Sequence, residues 1–312
     1  MHHNYMVKRV CIIGGGGAKT SLSALLRIND IEISSIVTVF DSGGSTGILR
    51  KEFGVYALGD IRDHLLAASQ NRSMVEVLSK RVELGGVSHS LGNLFLLSAI
   101  NEYGKAYMAT VRATLQLPER VEVIPVTDNV YSKTNLVVMT MTSERIVGEH
   151  NLDSLEDIKV KGIALEAKEN ISRDAKKAVV SADTIVFGPG DVYSSVLPNM
   201  LVGGMKEAII KSRAKKVLVL NIMNKINETE DYRASDFIGL FERYGVSFNT
   251  IIVNSKVPRK VDTIAQGKYG KLYGFIENDL KKEDAMNADL IDETVPYQHD
   301  PDKLAAAFRK VI

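Results

Sequence analysis

The chain has almost no excess of either charge sign: 39 lysines and arginines stand against 38 aspartates and glutamates in 312 residues. That balance leaves no broad cationic face for a nucleic-acid backbone or an anionic membrane, so neither is expected as a partner. Cysteine is nearly absent. The single Cys11 rules out an intramolecular disulfide, and its place in the apolar run Val10 to Ile13 makes it a buried strand residue, as suits a reducing compartment. No apolar stretch reaches the ~18 residues of a membrane span, and Met1 to Tyr5 holds no signal core, so a cytoplasmic protein is expected. G-x-S-x-G elbows, H-E-x-x-H pairs and cysteine clusters are missing, and His64, His89, His150 and His299 are scattered singly. Hydrolase triads and zinc chemistry therefore lack support. There is no internal repeat, low-complexity linker or second-domain boundary.

What is present is an ordinary globular composition, 45% hydrophobic and 25% charged, with enough chain for one large α/β domain spanning 1–312. Val7 to Ile13 reads as a strand, Gly14 to Gly17 as a loop and Ser21 to Arg27 as a helix. A second strand, Ser34 to Phe40, completes a βαβ unit, so the sheet begins parallel. From about 60 to 117 apolar residues recur three or four apart, which predicts a helical block broken at Asn71, Gly85-Gly86 and Gly104. Strand-like runs at Val121–Val126, Asn135–Met141, Arg145–Val147 and Lys159–Leu165 have no long helices between them and predict a small antiparallel β insert at about 120–166. The α/β pattern then resumes: strand Thr184–Phe187, a long helix Tyr193–Lys211, strand Lys216–Leu220, helix Ser235–Tyr244 and strand Thr250–Val253. Ala288–Ile291 and Leu304–Val311 suggest a last strand and helix.

Three glycine loops carry the candidate chemistry. Gly14, Gly15, Gly16 and Gly17 lie between a buried strand and a helix, where unpaired amides and the helix dipole favour phosphate; a tight turn without ligand is the alternative. The dinucleotide pattern G-x-G-x-x-G fails because Lys19 stands where its last glycine would be, and the Walker pattern fails because Ala18 precedes Lys19. Asp41, Ser42, Gly43, Gly44 and Ser45 open the second loop, at the same sheet edge. Asp41 can accept a ribose hydroxyl, ligate Mg²⁺ or act as a base, or can simply form an Asx turn. Gly188, Pro189, Gly190 and Asp191 repeat the strand-loop-helix geometry in the second half of the chain. Two such loops flanking a strand-order reversal are what a nucleotide at a topological switch point would contact. Asp60 reads as a helix N-cap or as a second acid of the site, Arg62 as a solvated helix residue or a phosphate partner. His89 reads as structural, with Ser90 capping a helix and Asn93 open to a functional role.

Taken in order, Ile13–Gly16, Asp41–Arg50, Gly59–Arg62, His89–Asn93 and Gly188–Ser195, with Pro198-Asn199 and the stretch Glu228 to Asp236, resemble the YvcK/CofD-like proteins over nearly the whole chain. They are most similar to the YvcK branch, often labelled gluconeogenesis factors. The resemblance implies a three-layer α/β/α Rossmann-like fold, mostly parallel, and a homodimer. It also implies a nucleotide or nucleotide-sugar ligand, such as a UDP-sugar, NAD or a guanine nucleotide, and a link to carbon metabolism and cell shape. The CofD branch implies a 2-phospho-L-lactate transferase, a Mg²⁺-dependent phosphotransferase acting on a deazaflavin, in which Asp41 and Asp60 would be metal ligands and catalytic. A scaffold with a vestigial pocket is the third expectation. The chain departs from the branch pattern at Ser42, where a second acid is usual, at Gln298-His299-Asp300, where R-H-D is usual, and at Gly17–Thr20.

Overall fold

The computed structural model describes residues 7–148, 150–151, 159–257 and 272–312. It opens with β1 (Lys8–Gly14), α1 (Lys19–Leu25) and β2 (Ile31–Val37). β1 and β2 pair in parallel from Lys8 with Ile31 to Gly14 with Val37, which gives the predicted βαβ unit. β2 starts and stops three residues before the run Ser34–Phe40 because Val39 and Phe40 are buried without a ladder, in the segment leading to Asp41. Residues Val10 to Ile13 are all buried, including the free Cys11, whose thiol pKa burial pushes far up. Burial on both faces is what a central parallel strand demands.

Next come α2 (Gly44–Phe53), α3 (Gly59–Ala68) and α4 (Arg72–Leu78), the last capped by Asn71, whose side chain accepts the Met74 amide. The helical block is interrupted by a hairpin, β3 (Arg81–Leu84) and β4 (Val87–Ser90), around Gly85-Gly86. It resumes with α5 (Leu91–Tyr103) and α6 (Tyr107–Leu115).

β5 (Val121–Pro125) corrects the predicted insert. It pairs in parallel with β2, Ile33 to Val121 through Val37 to Pro125, and is an edge strand of the main sheet. Its apolar run cannot by itself distinguish a sheet edge from an insert, since the partner lies some 90 residues upstream. The antiparallel insert is thus β6 (Leu136–Thr140), β7 (Arg145–Val147) and β8 (Val160–Leu165).

After α7 (Arg173–Ser181) and β9 (Thr184–Phe187), the long helix expected over Tyr193–Lys211 is broken. A π-helical turn at Val192–Val196 passes into a 3₁₀ turn at Leu197–Leu201, and only Met205–Lys211 is α-helical (α8). Pro198 and the pair Gly203-Gly204 explain the break, since neither sustains an α-helical interior. β10 (Lys215–Val219), β11 (Met223–Lys225), α9 (Ala234–Arg243), β12 (Thr250–Asn254), β13 (Leu272–Phe275), β14 (Ala285–Ala288) and a final helix Pro301–Val311 follow. β13 pairs with β11 outside the main sheet.

The main sheet has seven strands in the order β14-β12-β10-β9-β1-β2-β5, with every pair parallel. The chain runs outward from β1 to β5 on one side and from β9 to β14 on the other, so the order reverses between β1 and β9. α1, α3 and the final helix pack in one layer, α7 and α8 in the other, which is the three-layer Rossmann-like fold. No helix among the described residues is long and apolar enough to cross a membrane.

Candidate functional site

β1 and β9 are hydrogen-bonded neighbours, with Ile13 opposite Phe187, so their glycine loops leave the sheet side by side. They touch through bare backbone. A Cβ on Gly17 would lie 2.8 Å from Gly190 Cα and 2.9 Å from the Pro189 carbonyl oxygen, and one on Gly14 would lie 3.9 Å from Gly188 Cα. Ser21 and two asparagines fasten the contact. Ser21 Oγ donates to the Gly188 carbonyl at 2.7 Å, Asn199 Nδ2 donates to the Gly14 carbonyl at 3.3 Å, and the Gly190 amide donates to Asn221 Oδ1 at 2.7 Å. The Gly188 amide is taken by the Ile13 carbonyl. The Gly-Pro-Gly turn therefore spends its Gly188 and Gly190 amides on the protein itself, which is at odds with the expected cradle of free donors. What it supplies is a wall, and Asp191 beside it, 3.1 Å from Lys225 Nζ.

The first loop is likewise engaged. Asp60, in the first turn of α3, seats its carboxylate on Gly15 and Gly16, where added Cβ atoms would lie 2.6 and 2.8 Å from its oxygens, and it accepts the Gly16 amide. A histidine missed as an isolated residue holds the same loop. Buried His64 sits 2.9 Å from the Gly15 carbonyl through Nε2 and 2.7 Å from Ser35 Oγ through Nδ1. Burial drives its pKa down to about 4. The neutral ring donates to the carbonyl through Nε2 and accepts from the serine.

Asp60 is electrostatically crowded. Burial, then repulsion from Asp41 and Asp63, pushes its carboxyl pKa up to about 7, against the pull of the Gly16 amide and Arg62. Asp63, one turn on, is raised by burial but held below its ordinary range by Arg62 and Lys19. Arg62 donates through Nε and Nη2 to Asp63 Oδ1 and through Nη1 to Asn93 Oδ1, at 3.0, 2.6 and 2.8 Å, and Lys19 Nζ reaches Asp63 Oδ2 at 3.1 Å. Arg62 and Asn93 thus meet each other. Their sequence signal was a shared helix-end position; the link to Asp63 had none.

The second loop is different. α2 begins at Gly44 with Gly43 as its cap, no side chain closes its N-terminus, and its first turn holds no acid. Gly44 has φ +47° and, among the described residues, nothing within 4 Å of where a Cβ would stand, so these leave the backbone there open. Asp41 makes the Asx turn foreseen, accepting the Gly43 amide at 2.9 Å through Oδ1. The other oxygen, Oδ2, lies 3.8 Å from the position of a Cβ on Gly59, at the start of α3. Buried Arg50 pins the loop from below, donating to the Asp41 and Thr134 carbonyls at 2.9 and 2.7 Å. Two histidines meet the loop serines: His89 Nδ1 is 2.8 Å from Ser45 Oγ, and His150 Nδ1, delivered by the insert, is 2.8 Å from Ser42 Oγ. Thr46 joins Asn93 at 3.5 Å.

Thus Asp41, Asp60, Arg62, Asn93 and all three glycine loops converge at the reversal, but the bare helix end belongs to the Asp41 loop. Buried Thr38 Oγ1 and Asn199 Oδ1, close to Gly15 and Gly14, have no hydrogen-bond partner among the described residues. Asp41 and Asp60 lie close enough that repulsion from Asp41 helps raise the Asp60 pKa. Among the described residues no three or more His, Cys, Asp or Glu side chains form a metal-holding group. The C-terminal Gln298-His299-Asp300 does other work here. Asp300 caps the final helix by accepting the Asp302 and Lys303 amides, and His299 is buried against the Leu220 carbonyl, its pKa lowered to about 4.

Comparison with known proteins finds relatives over nearly the whole chain. The family described as 2-phospho-L-lactate transferase CofD matches residues 10–296. The gluconeogenesis factor of Bacillus subtilis is 33% identical over 305 residues, 94% of this chain and 92% of the relative. That of Listeria monocytogenes is 34% identical over 263 residues, 81% and 80% of the two chains. The crystal structure of a UPF0052 family member from Bacillus halodurans superposes with a TM-score of 0.86 at 30% identity, covering 97% of this chain and 98% of that one. The chain belongs to the CofD family, among the relatives named gluconeogenesis factors.

Proposed function

We propose that this protein binds a nucleoside diphosphate or nucleotide sugar at the strand-order reversal and acts as a regulator of the gluconeogenesis-factor kind. The observation that carries the reading is the open N-terminus of α2. Among the described residues it combines a helix end that no side chain caps, a glycine backbone with open space beside it and no acid in the first turn. Such an end favours negative charge through its free amides and dipole. The Gly14–Gly17 and Gly188–Asp191 loops then line the crevice rather than grip the phosphates.

A divalent cation fits the acids beside that helix end. Asp41 and Asp60 repel each other strongly enough to help raise the Asp60 pKa, and a cation between carboxylates and a diphosphate removes that repulsion. Mg²⁺ commonly uses one or two carboxylates, its remaining positions going to water and phosphate. Asp41 and Asp60 would hold it, and it would neutralise phosphate charge.

The test is a thermal-shift panel of UDP-sugars, NAD and guanine nucleotides with and without Mg²⁺. A true ligand at 100 times its Kd adds about 2.7 kcal/mol of stability. The expected result is a rise for one nucleotide class, larger with Mg²⁺ and lost in Asp41→Asn. A flat panel with folded protein favours the vestigial scaffold. The CofD match supports a second reading, phospholactyl transfer to a deazaflavin. Release of GMP from a guanosine diphospho-lactate donor would establish it.

A further inference from the structure

The connection between β5 and β6, residues 126–135, folds around one buried carboxylate. Glu169 lies between β8 and α7, and only 6% of it is exposed. Its oxygens accept from the Thr127 hydroxyl at 3.2 Å, the Asn129 side-chain amide at 3.3 Å, the Thr134 hydroxyl at 3.0 Å and the Ser132 hydroxyl. Every one of these donors is neutral. A buried carboxylate is tolerated only when hydrogen bonds take up its charge, so the segment that carries the donors is bound to stay wrapped around it. The Glu169 backbone is anchored in turn: its carbonyl accepts the Gly203 amide at 2.8 Å, and the Gly203 carbonyl accepts the Ile171 amide at 2.9 Å.

Thr134 carries this grip towards the candidate site. The carboxylate holds it twice, directly through the Thr134 hydroxyl and indirectly through Ser132, whose Oγ accepts the Thr134 amide at 3.2 Å. The Thr134 carbonyl accepts Arg50 Nη2 at 2.7 Å, and Nη1 of the same guanidinium donates to the Asp41 carbonyl at 2.9 Å. Arg50 is itself buried, so water competes weakly for these bonds. Thr134 thus stands between an anion that draws its hydroxyl and a cation that draws its carbonyl, and charge-assisted bonds at its two ends strengthen each other. Asp41 Oδ1 then accepts the Gly43 amide, so the setting of the Asp41 backbone passes to the Asx turn and the start of α2.

From this chain of bonds we propose that Glu169 is a positioning residue for the Asp41 loop, acting through Thr134 and Arg50. It orients the Asp41 carboxylate and the entrance to α2 from the segment that returns from the β insert. The consequence for ligand affinity rests on the nucleotide reading above, whereas the loop geometry does not.

The test is amide hydrogen exchange at Gly43 in the ligand-free full chain, with stability followed by urea denaturation and nucleotide binding by calorimetry. Thr134→Val keeps the side-chain shape and removes the hydroxyl, so exchange at Gly43 should rise about tenfold. Thr134→Ser restores the donor and should return the wild-type rate. Thr127→Val takes a hydroxyl from the same carboxylate but off the path to Arg50. It should lower stability and leave Gly43 unchanged, which separates positioning from a merely structural role. In Glu169→Gln exchange at Gly43 should also rise, and Thr134→Val should then add nothing further. Affinity for the nucleotide class that binds wild type should fall about tenfold in Thr134→Val and recover in Thr134→Ser. Wild-type exchange at Gly43 in folded Thr134→Val overturns the proposal even where nucleotide binds. Equal acceleration in Thr127→Val, or full multiplication of the two effects in the double variant, overturns it as well. A wild-type chain that binds no nucleotide while the variants keep this exchange pattern supports the positioning role and overturns the nucleotide reading alone.

Discussion

His64 shows how one buried side chain shapes both the site and the stability of the molecule. It is neutral in the native state and spans Ser35 and the Gly15 carbonyl, so it fixes the loop after β1 from beneath. Its folded pKa of about 4 lies below the unfolded value near 6.5. The unfolded chain therefore binds a proton first as pH falls, and the stability His64 supports is lost from about pH 6.5 down to pH 4. At pH 5 that linkage amounts to about 2 kcal/mol. Asp60 works in the opposite direction, since its folded pKa near 7 lies above the unfolded value and acid favours the native state. The two must be separated by difference. In His64→Gln, urea denaturation at pH 8 should show a loss of about 1–3 kcal/mol from the altered hydrogen bonds. That deficit relative to wild type should shrink by about 2 kcal/mol at pH 5; a deficit that is constant with pH would mean His64 is not neutral in the fold. No sequence pattern points to this residue, because Ser35 and Gly15 are 29 and 49 positions away. Asp41, by contrast, was legible because its Asx turn is local.

At the scale of elements, strands and loops were readable where the cause was local. Thr184–Phe187 and Arg145–Val147 have the boundaries their β-branched runs suggest. The β3–β4 hairpin reads in the sequence as a helix break at Gly85-Gly86, because a two-residue glycine turn interrupts a helical pattern as readily as it joins two short strands. The parallel pairing of β5 with β2 was not readable, because register between distant strands leaves no mark on either run. The glycine loops were found but their roles were not, since composition is the same whether an amide faces a ligand or a neighbouring loop. Two alanine substitutions separate these cases. Gly44→Ala introduces a side chain at φ +47° with nothing nearby to hit, so it should cost about 1–2 kcal/mol of stability. It should also lower nucleotide affinity at least tenfold, by filling the open approach to α2. Gly17→Ala drives a methyl group into Gly190 and the Pro189 carbonyl, so its main effect should be on stability, about 1–3 kcal/mol. Denaturation and binding measured on both variants decide it: if Gly44→Ala binds as tightly as wild type, phosphate does not sit on α2.

Over the whole molecule, the sheet reversal brings together segments from both halves of the chain, and the insert adds a third party. Besides the apolar packing of β8 on the Leu197–Leu201 turn, three polar contacts among the described residues join the insert to the body: His150 meets Ser42, the Ile163 amide donates to Tyr244 Oη at 3.3 Å, and Lys159 pairs with Asp231. Only the first reaches the loop that carries the open helix end. His150 sits in a short turn in which the Asn151 amide donates to the Gly148 carbonyl and Asn151 Nδ2 donates to the Val147 carbonyl, so fixing His150 fixes the turn. A ligand that orders the Asp41–Thr46 loop should order this turn through the Ser42 contact, whereas one bound elsewhere in the crevice should not. Amide hydrogen exchange is the measurement, since it reports local opening segment by segment. With saturating nucleotide, exchange at Gly148 and Asn151 should slow about tenfold in wild type, the result of about 1.4 kcal/mol of coupling. In His150→Ala the slowing should vanish while protection of α2 remains. Unchanged exchange in wild type would place the insert outside the binding event, and slowing that persists in His150→Ala would route the coupling through Tyr244 or Asp231 instead.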